Sequence, residues 1–384
     1  MTEAKEVPAK PRRRWLRFGL RTMLAITALL CVLMAWVGRD LAVSYREAQI
    51  VQKIGGSAQY DYQYDGNDFL TDASPPGPAF LRFCFGDHLY ARVISVNVQR
   101  QVVDREMAED IAKLDQLQSI LFQSSSIEEN SLEPLQELKN LRSLGFLRTP
   151  VSPRQLRQFR EAEQITGISL FGESASDENL VEISQFPNLE IVGIIGGPAT
   201  DVGLSSLDSL SKLESLFILD VPGVSAAGFP ALKQLQELTV QCDLVSEESL
   251  PALKQATSLR ELALKTTIKP SRPKSRQLVE NITGKLLTQE EPTPNDTEST
   301  AVKVAGQLAS VRDLTFEPYN IYDDDLRYLS EMPNLEVLDV QLTGVSREGM
   351  VHLEDLPKLK EVHVRWTQGI NQGQVGAAKV ITVN

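Results

Sequence analysis

The chain has 384 residues, 42% of them hydrophobic, which suits a folded protein and sets wholesale disorder aside. Its formal charge of -12 is uneven: residues 1–21 hold seven Lys/Arg and two Asp/Glu, so the remainder holds 32 basic and 49 acidic side chains. An acidic body repels phosphate backbones, which sets nucleic acid aside as a partner.

Residues 1–17 read as a basic cytoplasmic tail, with Lys5, Lys10, Arg12, Arg13, Arg14 and Arg17. The next segment, Phe18–Gly38, reads as a transmembrane signal anchor. Seventeen residues from Thr22 to Gly38 carry no charge, which meets the lower limit of about 17 for a helix that crosses the hydrocarbon core. Arg21 can snorkel toward the headgroups, and Trp15 and Trp36 stand near the two ends, where aromatic rings favour the interface. A cleaved signal peptide calls for a shorter apolar run with small residues at its exit, where this chain has Trp36 and Val37. By the positive-inside rule the N-terminus stays in the cytoplasm and the body is exported.

Residues 39–92 read as a linker and N-terminal cap. "REAQIVQKIGG" predicts a helix stopped by Gly55 and Gly56. "SAQYDYQYD" alternates Tyr60, Tyr62 and Tyr64 as one face of a strand does; a ligand platform is an alternative role for these rings. After a loop with Pro75, Pro76 and Pro78, "AFLRFCFGDHLYARVISVNV" predicts an apolar helix and a first strand with Ile94, Val96 and Val98 inward.

Residues 93–384 read as a repeat array. "LKNLRSLGFLRTPVSPRQLRQF" places apolar residues at Leu138, Leu141, Leu144, Phe146, Val151, Leu156 and Phe159. Neither a helix nor a strand keeps those steps throughout. The same steps start at Leu114, Ala162, Phe186, Leu232, Leu308 and Met332, with shortened or broken copies from Leu210, Ala256 and Leu356, giving about ten units mostly 24 residues long. The step of two predicts a short strand with both side chains inward, the step of five a turn, and the last pair a short helix. Ser152, Ser176, Thr200, Ser225, Ser246 and Ser346 stand where the N-cap of that helix falls, and Pro153 at a first helical position. No unit can bury its own apolar face, so stacking of neighbours must supply the stability.

The unit L-x-x-L-x-x-L-x-L at 24 residues resembles the leucine-rich repeat. The resemblance implies an α/β solenoid: a leucine-rich repeat horseshoe with a parallel concave sheet and convex helices, joined here to one N-terminal transmembrane helix. "ATDVGLSSL" and "VSREGMVHL" are similar to the bacterial and ribonuclease-inhibitor-like variants. With its basic N-terminus and single span, the chain resembles the membrane-anchored leucine-rich repeat proteins common in planctomycete bacteria, which implies a non-enzymatic role.

The register breaks over residues 269–302, whose Pro, Ser, Thr and charge read as a mobile insert with a short amphipathic helix over Leu278–Leu287. Cys31, Cys84 and Cys242 form no CxxC spacing; a Cys84–Cys242 bridge and free thiols both remain open. His88, His352 and His363 fit no HExxH, and "YDDDL" puts Asp323–Asp325 at a helix start, where acids cap donors rather than bind calcium. No catalytic, cofactor-binding or metal residue is assigned, and the chain reads as a non-enzyme.

Binding is left. The positions flanking each inward pair face the concave surface. In the second to fifth repeats they include Leu147, Phe171, Ile191, Ile195, Phe217 and Leu219. Later repeats show Glu237, Gln241, Glu261, Lys265, Asp313, Glu317, Asp339, Glu361, His363 and Arg365. An apolar stretch on an open sheet marks a protein partner. A structural or self-associating envelope protein is the alternative, and an enzyme with an atypical site the third reading.

Overall fold

A computed structural model describes residues 19–65, 68–70, 73–77, 79–86, 90–229, 233–265, 296–317, 321–341, 345–346, 348–365 and 374–382. The chain divides into two compact units, Met1–Gln49 with Asp61–Arg92, and Ile50–Tyr60 with Val93–Asn384.

One helix, α1, runs from Leu20 to Lys53. It fuses the apolar run with the helix expected over "REAQIVQK", because no proline separates them and the intervening residues are mostly good helix formers. Gly55, in the left-handed region at φ 64°, follows its end, as expected. Met23, Leu24, Ile26, Leu29, Leu30, Val32 and Met34 are all exposed on it. Among the described residues no helix is long and apolar enough to cross a membrane, so the span expected over Phe18–Gly38 is not met by them. The side chains of Leu20, Arg21, Thr22, Leu33, Trp36 and Val37 lie outside the described residues and interrupt the run.

The tyrosine alternation does not form one strand. A strand over Ser57–Tyr60 gives way to a 3-10 turn at Asp61–Gln63. The Asp61 carboxylate accepts from the Tyr62 N–H at 2.9 Å and the Arg92 N–H at 3.1 Å, which is how a short acid turns a chain away from strand pairing. Helix α2 follows at Ala79–Phe85.

In the second unit the described residues form a 14-stranded sheet. Its strands are β1 (Ser57–Tyr60), β2 (Val93–Gln99), β3 (Ser119–Gln123), β4 (Ser143–Leu147), β5 (Gly167–Phe171), β6 (Ile191–Ile195), β7 (Ser215–Leu219), β8 (Glu237–Gln241), β9 (Glu261–Lys265), β10 (Asp313–Glu317), β11 (Val337–Gln341), β12 (Glu361–Arg365), β13 (Gln374–Val375) and β14 (Ala378–Thr382). They lie in chain order except that β14 precedes β13, and pairing is parallel from β2 through β12 to β14. The antiparallel strands β1 and β13 close the two ends. At the first end Tyr60 pairs with Val93 rather than Ile94. That bulge turns Val93 inward with Val96 and Val98 and leaves Ile94 half-buried, contrary to the expected alternation.

Register follows the repeat. Ser95, Ser119, Ser143, Gly167, Ile191 and Ser215 are successive cross-strand partners. Each strand's second and fourth residues, from Ile120 and Phe122 to Val362 and Val364, are at most 1% exposed. Phe122 and Phe146 stack at 5.5 Å. Immediately after β2, β3, β4, β5, β6 and β7, the chain takes the left-handed conformation at Arg100, Ser124, Arg148, Gly172, Gly196 and Asp220. The backbone N–H groups of Arg100, Ser124 and Gly196 donate to the last carbonyl of the next strand, so the ladder continues into the turn.

Ser152, Ser176, Thr200 and Ser225 are N-caps whose side chains accept a backbone N–H, and Ser152 forms a full capping box with Gln155. Ser246 and Ser346 also accept an N–H, from Glu248 and Glu348, but their helices begin later, after Ser249 and Glu348. A further ladder joins consecutive coils. The Asp177 carboxylate accepts from the Thr200 N–H at 2.7 Å, the Thr200 hydroxyl at 2.6 Å and the Gly203 N–H at 3.1 Å. Asp201 grips Ser225 in the same way, and Asp323 grips Ser346. Asp325 accepts from the Tyr322 N–H. Asp325 of "YDDDL" therefore serves its own helix start, as the position implied, whereas Asp323 serves the next coil.

Of the stretch 269–302, residues up to 295, Leu278–Leu287 included, lie outside the described residues. Asp296–Ala305 forms a helix in which Ala301, Val302, Val304 and Ala305 are buried. It belongs to the coil that starts at β9, where it fills the place of the short helix before Leu314 pairs with Leu262. Cys31 is free and exposed, while the side chains of Cys84 and Cys242 lie outside the described residues.

Candidate functional site

The first, third and fifth residues of each five-residue strand occupy the open face of the sheet, because the second and fourth are spent on the core. Cross-strand neighbours in such a row stand about 4.8 Å apart. The fifth-position row contains Leu147, Phe171, Ile195 and Leu219 in four consecutive strands, with Phe171, Ile195 and Leu219 paired directly. Ile191 lies in the first-position row. Phe217 lies in the middle row opposite Gly193. The structure thus gathers all six expected residues on β4–β7. Ile191 is 43% exposed, and the other five are half-buried.

What the spacing missed is the floor beside them. Gly145, Ser169 and Gly193 fill the middle row between the larger Leu121 and Phe217. Toward the N-terminal end a depression of about 310 Å³ opens on this face, lined by Ser57, Ser95, Ser119, Ser143, Leu121 and Phe171 among others. Serines at the first strand position, with Gly145 and Ser169 at the third, are the sequence signal for it.

Beyond β7 the face changes character. Glu237, Glu261 and Asp313 are direct cross-strand neighbours in the first-position row. Partial burial, with Glu237 and Asp313 on either side, pushes the Glu261 carboxyl above its ordinary range. Asp313 is raised by partial burial and by Glu336, against opposing pulls from Arg312 and Lys360. Further on, His363 lies 3.1 Å from Glu361 and 3.9 Å from Asp339. Gln241 is buried and Lys265 half-buried; the side chains of Glu317 and Arg365 lie outside the described residues. Among the described residues no group of three or more His, Cys, Asp or Glu could hold a metal ion.

Coils of 24 residues, a parallel sheet in register, short capped helices and an inward leucine pair are now all in place. The array is a leucine-rich repeat solenoid. No family model matches the chain, and no curated protein matches it. Among solved structures it is similar to an internalin (InlF) from Listeria monocytogenes, at 14% identity, 75% of this chain, 85% of that one and a TM-score of 0.33. It is also similar to human 5T4 (Wnt-activated inhibitory factor 1, trophoblast glycoprotein), at 14% identity, 71% of this chain, 77% of that one and a TM-score of 0.30. Overlays this loose do not define the solenoid; its own register does.

Proposed function

We propose that the protein is a non-catalytic, membrane-anchored, extracytoplasmic leucine-rich repeat protein that captures a protein partner on the open face of its sheet. The observation that carries the binding half is the contiguous row Phe171–Ile195–Leu219, with Leu147 in the next strand and Phe217 and Ile191 beside it. Aromatic and aliphatic side chains held on a rigid sheet beside a shallow floor suit the anchors of a partner, since a few such residues dominate binding energy. The anchoring half is supported by seven exposed apolar side chains between Met23 and Met34 on α1, an uncharged run from Thr22 to Gly38, and the basic residues before it. Charge asymmetry of that kind favours an exported body. The resemblance to planctomycete membrane-anchored repeat proteins agrees with this reading.

The test is in-cell cross-linking of the full chain followed by affinity capture. Phe171→Ala with Phe217→Ala should lower recovery of the cross-linked partner at least tenfold, the effect of about 1.4 kcal/mol at one interface, while the fold persists because both rings point away from the core. Equal recovery removes this face as the binding site. Self-association of the purified chain that rises with concentration, with no other protein captured, would replace the partner by a second copy.

A further inference from the structure

We propose that helix α2 lies in the headgroup layer of the membrane, with Phe80 and Phe83 inserted between lipid chains as a second contact beside α1. The inference rests on the anchored reading given above. It starts from two rings that water should not be holding. Phe80 is 67% exposed and Phe83 is 92% exposed, the highest value of any large apolar side chain among the described residues. Three residues apart on a helix, they share one face. Leu70 and Tyr45, in the same compact unit, are exposed as well.

A chain of contacts tethers α2 to the end of the uncharged run. Arg92 donates to Asp40 at 3.1 Å and to Ser44 at 3.4 Å. Asp40 and Ser44 stand two and six residues past Gly38, so Arg92 is held about 3 to 9 Å along the helix axis beyond the uncharged run. The headgroup layer on each side of a bilayer is about 5 to 8 Å deep, which is the same interval. Tyr90, two residues before Arg92, lies within about 7 Å of it along the chain. Gly77 packs against the Tyr90 ring so closely that an added Cβ would stand 2.4 Å from it, and α2 begins two residues later. The Arg82 guanidinium is turned back to the Pro75 carbonyl at 2.8 Å. A helix tethered this closely to the end of the uncharged run, with its rings exposed, has the lipid boundary as its nearest apolar phase; amphipathic helices are bound there by buried apolar area.

The full chain, with Cys31, Cys84 and Cys242 replaced by Ala, is reconstituted in phosphatidylcholine vesicles with a single spin label. Labels are placed in turn at Phe83→Cys, Phe80→Cys, Leu29→Cys and Glu178→Cys, and each is tested for collision with oxygen and with a water-soluble nickel chelate. The oxygen-to-nickel ratio at residues 80 and 83 should exceed that at residue 178 by at least threefold, approaching the ratio at residue 29. A ratio at 80 and 83 equal to that at 178, with 29 in lipid, overturns the inference and leaves the anchor standing. Shielding of 80 and 83 from both reagents means that protein covers them, which also overturns it. A water-like ratio at residue 29 overturns the anchored reading and this inference together.

Discussion

Replacing Gly203 with Ala tests the carboxylate ladder between coils through the sign of the effect. Gly203 lies in the helix Asp201–Ser205, where Ala in place of Gly ordinarily stabilises by about 1 kcal/mol. Here the added Cβ would stand 2.3 Å from Asp177 Oδ1 and 2.8 Å from Asp177 Cα. The carboxylate cannot swing aside freely, because it holds the Thr200 N–H and hydroxyl as well as the Gly203 N–H. Overpacking of this kind costs about 2 kcal/mol, and loss of one charge-assisted bond about 2 more. Set against the helix gain, the net is a destabilisation of about 3 kcal/mol. Urea unfolding of the full chain in detergent reads the total. Amide exchange locates it: protection of Thr200 and Gly203 should fall while Leu338 and Val362 keep theirs, because repeats feel only their neighbours. Adding Asp177→Ala removes the carboxylate the new methyl strikes, so the double variant should lose less than the two single losses combined. If Gly203→Ala proves as stable as the parent or more so, the ladder is not holding the coils.

Three further outcomes follow from individual contacts. Glu261→Gln should stabilise the array at neutral pH by a few tenths of a kcal/mol, the low end of a cross-strand like-charge pair because the side chain is only partly buried and largely screened. Its folded carboxyl titrates above the ordinary range. The site therefore favours folding fully below the unfolded value and loses that contribution as pH rises through the folded value. The gain from Gln should accordingly vanish in acid, which urea titrations at two pH values check. Arg148→Gly should stabilise by about 0.5–1 kcal/mol, since an exposed L-residue held at φ 51° gives up about 1–2 kcal/mol and Gly returns part of that in the unfolded chain; denaturant midpoints decide it. The Glu182 side chain, 5% exposed, is held by Arg157 at 2.8 Å and Arg160 at 3.0 Å. Removing both arginines should lower the unfolding midpoint more than Glu182→Gln does, because only the first change strands a buried charge.

The inward pairs were legible because a step of two followed by a step of five fixes which side chains share the core, whatever their identity. The N-caps were legible for the same reason, since Ser or Thr falls at one offset in copy after copy. The ladder was not. Asp323 reads locally as an acid favouring its own helix start, and Asp177 and Asp201 carry no local sign of a role; the partners of all three lie 23–26 residues on. The signal existed as a pair, an acid after one cap and Gly203 or Gly349 three residues past the next. The left-handed turns were equally hidden: Gly172 and Gly196 announce them, but Arg100, Ser124, Arg148 and Asp220 adopt the same angle by position alone. Strand parity put Leu147, Phe171, Ile195 and Leu219 on one face, but how deeply each sits depends on what stands beside it, which Gly145 and Gly193 decide. The tyrosine alternation misled because parity was extended across Asp61, whose side chain competes for backbone donors.

The change in the open face from apolar to acidic falls at a structural seam. From Ser95 to Ser215 the cross-strand partners are 24 residues apart, but Ser215 pairs with Glu237, only 22 on. There the column of left-handed turns reaches its last described member, Asp220. Its N–H takes the Gln241 side-chain oxygen at 2.9 Å, where Arg100, Ser124 and Gly196 use a strand carbonyl. The Ser215 hydroxyl donates to Glu237 across the same seam at 2.7 Å. Yet Leu216 still pairs with Leu238 and Ile218 with Val240, so the two-residue deletion is absorbed in the turn and never reaches the core. The inward positions are therefore held to one register while the outward ones are free to differ on either side of the seam. A partner that spans it must present apolar side chains to Phe171 and Ile195 and cations to Glu237 and Glu261. One confined to the first half has no use for the acids. Capture that falls with Phe171→Ala but not with Glu261→Gln places the partner wholly on the apolar side.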